Sequence, residues 1–206
     1  MSSPVVVRRA TPEDREAVLA TVVAAFAADP AWEFITGGEV ERLSPHFAGA
    51  LFDGRAGAGT VWVTDDCLGV AMWDDRTGTT TGDLNPPAIW EAYHEVAGEA
   101  AWSTLQAYDE ALHAHEPAEP FWYLGVLATH PSAQGTGLAT AVLAPTFGIA
   151  DAAGVDCWLE TSVATNTEFY ERRGFTDRIE VEIDGGPTTW WMRRPAVLTP
   201  VSVERG

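Results

Sequence analysis

The 206 residues carry 30 acidic and 12 basic side chains, a net charge of −18, and every basic residue is arginine. That field repels polyanions, which argues against nucleic acid as a partner and favours small cationic molecules. A length of 206 with 46% hydrophobic residues and nine Trp fits one globular domain spanning 1–206, whereas no apolar run reaches the roughly 18 residues a membrane span needs.

Met1-Ser-Ser-Pro4 lacks the basic and apolar regions of a signal peptide, so the expected location is cytoplasmic. Pro4 to Arg9 reads as a first strand. Thr11-Pro12-Glu13-Asp14 gives an N-cap, a proline at the first helical position and acids in the first turn. Val18, Leu19, Val22, Val23 and Phe26 follow at helical spacing, so a helix runs to about Ala28 and Asp29-Pro30 stops it. Glu39 to Phe52 repeats Val40, Leu43, Phe47 and Leu51 at helical spacing across Pro45, as one helix or two short ones. Gly54 to Gly59 reads as a loop.

Thr60 to Thr64 alternates as a strand, Asp65-Asp66 turns, and Cys67 to Trp73 returns as a hairpin. Cys67 and Cys157 form no CxxC or Cys/His ligand set, so both are expected to be buried, reduced thiols, and no metal is expected. Asp74 to Pro87 is a polar loop, expected to be mobile. Ala88 to Ala114 carries one or two helices, broken near Gly98 or Ser103. Together 74–116 reads as an insertion in a 4–194 core, with 195–206 as a tail.

Phe121 to Ala128 is an apolar run suited to a buried strand, and Pro131 ends it. Gln134-Gly135-Thr136-Gly137-Leu138-Ala139-Thr140 then opens a helix to about Ala153. A strand, a glycine turn and a helix start leave several backbone N–H groups unpaired beside the positive end of a helix dipole. That is a place for a phosphate or pyrophosphate. Val155 to Glu160 is the next strand. A short helix capped by Thr165 or Asn166 runs to Arg173 with Gly174 after it, and Phe175–Ile183 and Thr188–Arg193 close the order as strands. Hairpins and a βαβ unit together imply a mixed sheet.

Three glycine-turn patterns compete for the phosphate. A P-loop requires a lysine, and there is none. A dinucleotide fingerprint requires glycine where Thr140 stands, and normally follows the first strand. The third pattern, [RQ]-x-x-G-x-[GA], is satisfied by Gln134 to Ala139. With Leu127-Ala128-Thr129-His130-Pro131 before it and Asn166-Thr-Glu-Phe-Tyr170-Glu-Arg-Arg-Gly174-Phe175 after it, it resembles the acetyl-CoA signature of the GCN5-related N-acetyltransferase (GNAT) superfamily, over about residues 4–194. Leu159 to Ser162, Asn166 to Phe175 and Gly186 to Trp190 with Met192 are similar to the puromycin N-acetyltransferase branch of that superfamily.

The resemblance implies a GNAT-type α/β fold: a mixed, mostly antiparallel sheet of about seven strands, flanked by helices, with a helical insertion before the fourth. It implies acetyl-CoA as co-substrate and a small amine as partner, in a monomer or homodimer, with an aminonucleoside-type antibiotic as the sharpest acceptor. It implies that strands 122–128 and 155–161 splay to admit the pantetheine, which pairs with Leu127 and Thr129. Gln134, Gly135, Thr136, Gly137, Leu138, Ala139 and Thr140 would hold the pyrophosphate and Asn166 the pantetheine amide. Leu127 or Ala128 would donate to the oxyanion of a tetrahedral intermediate. Tyr170 matches the general acid by position, and Glu160 is the leading group to bind or deprotonate the amine. Arg172 or Arg173 could meet the ribose phosphate. Trp32, Phe34, Trp73, Trp122 and Tyr123 are candidates to line the acceptor pocket. A peptide N-acetyltransferase and a non-catalytic acyl-CoA-binding regulator are the alternatives.

Overall fold

The structure is a computed structural model describing residues 5–80, 84 and 86–198. Residues 81–83 and 85 of the expected loop, and 199–206 of the expected tail, lie outside the described residues. Among those described, seven strands form one sheet: β1 (Val7–Arg9), β2 (Val61–Thr64), β3 (Gly69–Asp75), β4 (Phe121–Thr129), β5 (Asp156–Thr161), β6 (Asp177–Val181) and β7 (Thr189–Arg194). Their order is β1-β2-β3-β4-β5-β7-β6, and only β4 and β5 run parallel. This is the expected mixed, mostly antiparallel α/β sheet.

The helices are α1 (Arg15–Phe26), α2 (Pro30–Ile35), α3 (Val40–Gly57), α4 (Pro87–His113), α5 (Leu138–Ala153) and α6 (Ala164–Glu171). One core cluster joins α1–α4 to one face of the sheet through Val18, Leu43, Phe52, Val63, Met72 and Val126. The other joins α5 and α6 to the opposite face through Ala71, Trp73, Val142, Leu143, Leu159 and Phe175. No described helix is long and apolar enough to cross a membrane.

Several elements depart from the sequence reading: Asp74 and Asp75, expected to open the polar loop, instead end β3 and are buried. Asp29-Pro30 ends one helix and starts another: Asp29 caps α2 by accepting from Ala31 and Trp32 N–H (2.9 and 3.2 Å), with Pro30 in its first turn. Next, α3 is continuous across Pro45 and through the stretch read as a loop. An interior proline costs about 3 kcal/mol. Burying Leu43, Phe47, Leu51 and Phe52 recovers roughly 1.5–3 kcal/mol per side chain, so packing prevails. The helix persists past Gly54 because Arg55 is itself anchored in the interior, against Asp74 at 2.7 Å. Cys67 lies in the β2–β3 turn at φ +55 rather than in a strand. Finally, α6 is capped at Val163, not at Thr165 or Asn166, and Thr161 Oγ1 takes the Val163 N–H at 3.3 Å.

In α4 the break falls at Gly98 (φ +77, ψ 169). Both cysteines are free and buried, and burial pushes the Cys67 thiol up to about 11 and the Cys157 thiol up to about 12. Arginine makes exposed ion pairs such as Arg15–Asp53 (2.7 Å), Arg42–Glu39 (2.6 Å) and Arg193–Asp156 (2.7 Å), and the buried Arg194 pairs with Asp151 (2.8 Å).

Candidate active site

The sheet forks at its parallel pair. β4 and β5 are in register only from Phe121–Asp156 to Leu124–Leu159, yet β4 continues to Thr129 and β5 turns to pair with β7 through Thr161. The far end of β4 therefore has an unpaired edge. Strand N–H groups alternate in direction. His130 N–H donates to Leu68 O at 2.9 Å, and Val70 stands opposite Ala128. Ala128 thus turns its backbone groups to β3, and Leu127 and Thr129 turn theirs into the fork. Of the two residues considered for the oxyanion, Leu127 is the one on the open side.

A register shift between Met72 and Trp73 leaves Gly125 as the bulged residue of β4. A Cβ on Gly125 would lie 3.0 Å from Arg55 and 3.4 Å from the Tyr123 ring. The glycine lets the buried Arg55–Asp74 pair sit under the fork.

Beyond β4, His130 caps a single turn at Pro131–Ala133 through its ring nitrogen and Ser132 (2.7 Å to Oγ, 3.3 Å to N–H), which accounts for it structurally. Gly135 and Gly137 then adopt φ +78 and +92, a region costly to any residue with a Cβ. No atom lies within 4 Å of where a Cβ on either would stand, so the turn is an open backbone cradle at the start of α5. Thr140, on the first turn, accepts from Arg173 at 2.5 and 3.1 Å. The Arg173 guanidinium lies over Phe169 at 3.4 Å and has no carboxylate partner among the described residues. Arg172 is drawn to Glu168 at 3.6 Å on the exposed side. The open cradle, the fork's free edge and this cation fit the pyrophosphate and pantetheine of acetyl-CoA.

Where the fork opens, a cavity of about 460 Å³ is lined by Leu127, Glu160, Asn166 and Tyr170, with Trp32 and Tyr123 in its wall. Tyr170 is buried (8% exposed) and packs edge-on to Phe175. Burial, with the nearby charges of Glu160 and Asp29, holds its hydroxyl well above the usual tyrosine range. Glu160, half-buried in the cavity wall, accepts from the Tyr123 hydroxyl at 2.5 Å. Burial raises its carboxyl to about 8, against the opposing Tyr123 bond, and Asp109 adds to the rise. Part of the remaining wall is aromatic. Phe26 stacks on Trp32 at 4.6 Å, Phe47 meets Trp32 edge-on at 5.1 Å, and Trp191 is stacked between Tyr123 (5.6 Å) and Trp158 (5.7 Å).

Three aromatic candidates stand elsewhere. Trp73 and Trp122 belong to the opposite core, and Trp73 packs edge-on to Phe147 of α5 at 6.0 Å. Phe34 points out from α2 toward Tyr108 and Gly186, because residues two apart on a helix face different ways. The remaining acids of the cavity escaped the sequence reading: Asp29, Asp74, Asp109 and Glu116. Asp29 carried a signal, the Asp-Pro pair of a helix cap, which was read only as a stop. Asp109 and Glu116 share no local pattern with Glu160, and only the fold brings them together.

The chain matches the family model described as "Acetyltransferase (GNAT) family" over residues 60–175. Its fold is similar to a solved Corynebacterium glutamicum protein titled "histone acetyltransferase HPA2 and related acetyltransferase", at 25% identity and TM-score 0.65, covering 97% of this chain and all of that one. It is likewise similar to a Drosophila melanogaster polyamine N-acetyltransferase (13% identity, TM-score 0.65, 93% and 100% covered) and to arylalkylamine N-acetyltransferase 2 of Aedes aegypti (13%, 0.64, 95% and 100%). With the matched span running from the start of β2 to the end of the α6 segment, the chain belongs to the GNAT acetyltransferase family.

Proposed function

We propose that the chain is an acetyl-CoA-dependent N-acetyltransferase acting on a small amine with an aromatic or otherwise flat apolar body. The observation carrying this reading is that Leu127, Glu160, Asn166 and Tyr170 line one cavity at the fork, although 43 residues of sequence separate the first from the last. Acetyl-CoA would supply a thioester carbonyl open to direct attack by a neutral amine, with a thiol as leaving group.

The chain's own residues have separate tasks. The N–H groups of 135–140 bind the pyrophosphate, with Arg173 beside them, and Asn166 holds the pantetheine amide. Leu127 N–H faces the fork, where a fixed donor can stabilise negative charge as it develops on oxygen. Glu160 takes a proton from the ammonium of the acceptor, directly or through one water. A carboxyl near 8 is matched to that task at neutral pH. Tyr170, protonated throughout this range, gives a proton to the departing thiolate and is restored by the proton that the acylated nitrogen sheds, directly or through solvent. Trp32, Tyr123 and Trp191 supply flat apolar area that also suits a cation, whereas Asp74 and Glu116 are already paired with Arg55 and Arg76.

An aminonucleoside such as puromycin is the sharpest acceptor. The observations supporting it are the resemblance of 159–162, 166–175 and 186–190 with Met192 to that branch and an aromatic cavity large enough for an aminoacyl group. Simple arylalkylamines and polyamines, the acceptors named for two of the structural relatives, belong in the same panel.

The test is release of free CoA thiol from acetyl-CoA with puromycin, 2-phenylethylamine, agmatine and spermidine. Turnover with at least one, abolished by omitting the amine, is expected. Binding of acetyl-CoA without thiol release from any amine or peptide would instead favour a non-catalytic acyl-CoA-binding regulator.

A further inference from the structure

Asp29 stands where the acceptor wall meets the fork. It lies in the α1–α2 corner, and its Oδ1 accepts three bonds: from Ala31 N–H (2.9 Å), Trp32 N–H (3.2 Å) and the Ser162 hydroxyl (3.1 Å). Ser162 follows β5, two residues past Glu160, and precedes the helix that bears Asn166 and Tyr170. Ser162 Oγ also accepts from Ala31 N–H at 3.3 Å. One carboxylate oxygen thus ties the acceptor wall to the segment carrying the proton donor. The other, Oδ2, has no hydrogen bond and no ion pair among the described residues. Asp29, Ser162, Glu160 and Tyr170 line the same cavity, beside the Phe26–Trp32 stack.

Glu160 and Asp29 differ in what they can do for an incoming amine. Glu160 is already held by Tyr123 and its carboxyl is raised to about 8, so near neutral pH it carries little standing charge to anchor a cation, while its ionised fraction is a strong enough base to take a proton. In Asp29 burial raises the carboxyl on balance, although the two cap N–H groups and Ser162 pull the other way. Fixed donors of that kind favour the charged form. An ammonium beside this group gains a charge-assisted bond to Oδ2 and a neighbouring aromatic face.

We propose that Asp29 is the acceptor-binding carboxylate: Oδ2 takes the ammonium head of the amine and sets it beside Glu160, which takes the proton. This rests on the acetyltransferase reading, and binding is therefore measured apart from turnover. The probes are 2-phenylethylamine and its neutral counterpart 2-phenylethanol, titrated calorimetrically into the CoA-bound protein.

Asp29→Asn is the informative variant, because asparagine caps a helix about as well as aspartate and keeps an oxygen for Ser162. Its affinity for 2-phenylethylamine is expected to fall by about tenfold or more, with 2-phenylethanol, acetyl-CoA affinity and Tm unchanged. Ser162→Ala, which keeps the charge, should bind the amine within about threefold of wild type. The proposal is overturned if Asp29→Asn binds the amine as wild type does. It is also overturned if the variant loses amine and alcohol alike, or if the wild-type protein binds no amine. Charge-dependent amine binding in a protein that releases no CoA thiol would uphold Asp29 and remove the transferase reading instead.

Discussion

The two ends of the site are built from different material. At the end proposed for the cofactor, the structure offers backbone: the free edge of β4 at Leu127 and Thr129, and the positive-φ turn at Gly135 and Gly137. At the end proposed for the acceptor it offers side chains that meet from α1, α2, α3, α4, β4, β5 and β7. A backbone device needs a short run with a fixed conformation. A side-chain pocket needs a whole fold. The first should tolerate loss of side chains and fail on a change of conformation, and the second should do the reverse.

Tyr170→Phe probes the seam between the two ends and carries the largest expected effect. It should lower kcat by about 10²–10³ while acetyl-CoA affinity, measured by calorimetry, stays within about twofold. An equal loss in cofactor binding would make Tyr170 part of the cradle and blur the division.

Glu160→Gln comes next, with kcat/KM for the amine falling by about 10² at neutral pH. In the wild type, kcat/KM should rise as pH passes through about 8, where Glu160 loses its proton, and the glutamine variant should lack that part of the rise. The same group bears on stability. The folded carboxyl, near 8, holds its proton more tightly than the unfolded chain, near 4.3. Between those values the folded state binds more protons, so this group's contribution falls as pH rises. Urea denaturation at pH 5.5 and 8.5 should show wild type losing ground to Glu160→Gln at the higher pH.

Gly137→Ala tests the cradle. At φ +92 an added Cβ costs about 1–2 kcal/mol, and the strain should appear as roughly tenfold weaker acetyl-CoA binding, with amine affinity unmoved. The smallest effect belongs to Arg173→Gln, the one side chain offered to the phosphates. Acetyl-CoA affinity should fall by about threefold at low salt and less at high salt, because an exposed charge is screened. A loss much larger than that of Gly137→Ala would mean the cofactor end is also built from side chains.

The same division explains what could be read from the sequence. The turn at 134–140 and the Asn166–Phe175 block were legible because each is one contiguous device. Seven strands and their mixed order followed from alternation and hairpin signals. The acceptor pocket did not follow, and Trp122 with Tyr123 shows why. Adjacent residues on a strand face opposite sides, so both could not line one cavity. Period two alone separates them, but which side opens depends on helices distant in sequence. Trp73, opposite Leu124 in register, falls on the α5 side for the same reason. α3 ran through Pro45 and Gly54 because burial along its inner face outweighed local breakers. Nothing in the neighbourhood of Arg55 announces Asp74.

The arginine ion pairs on the surface have a consequence for the protein's own chemistry. A thioester acetylates amines that can shed a proton, and a guanidinium stays protonated at any physiological pH. Each described ion pair is made by arginine or histidine, and these 206 residues hold no side-chain amine. The protein can work in concentrated acetyl donor without neutralising the charges that brace its surface. Within these 206 residues, mass spectrometry should find no amide-linked acetyl group on any side chain.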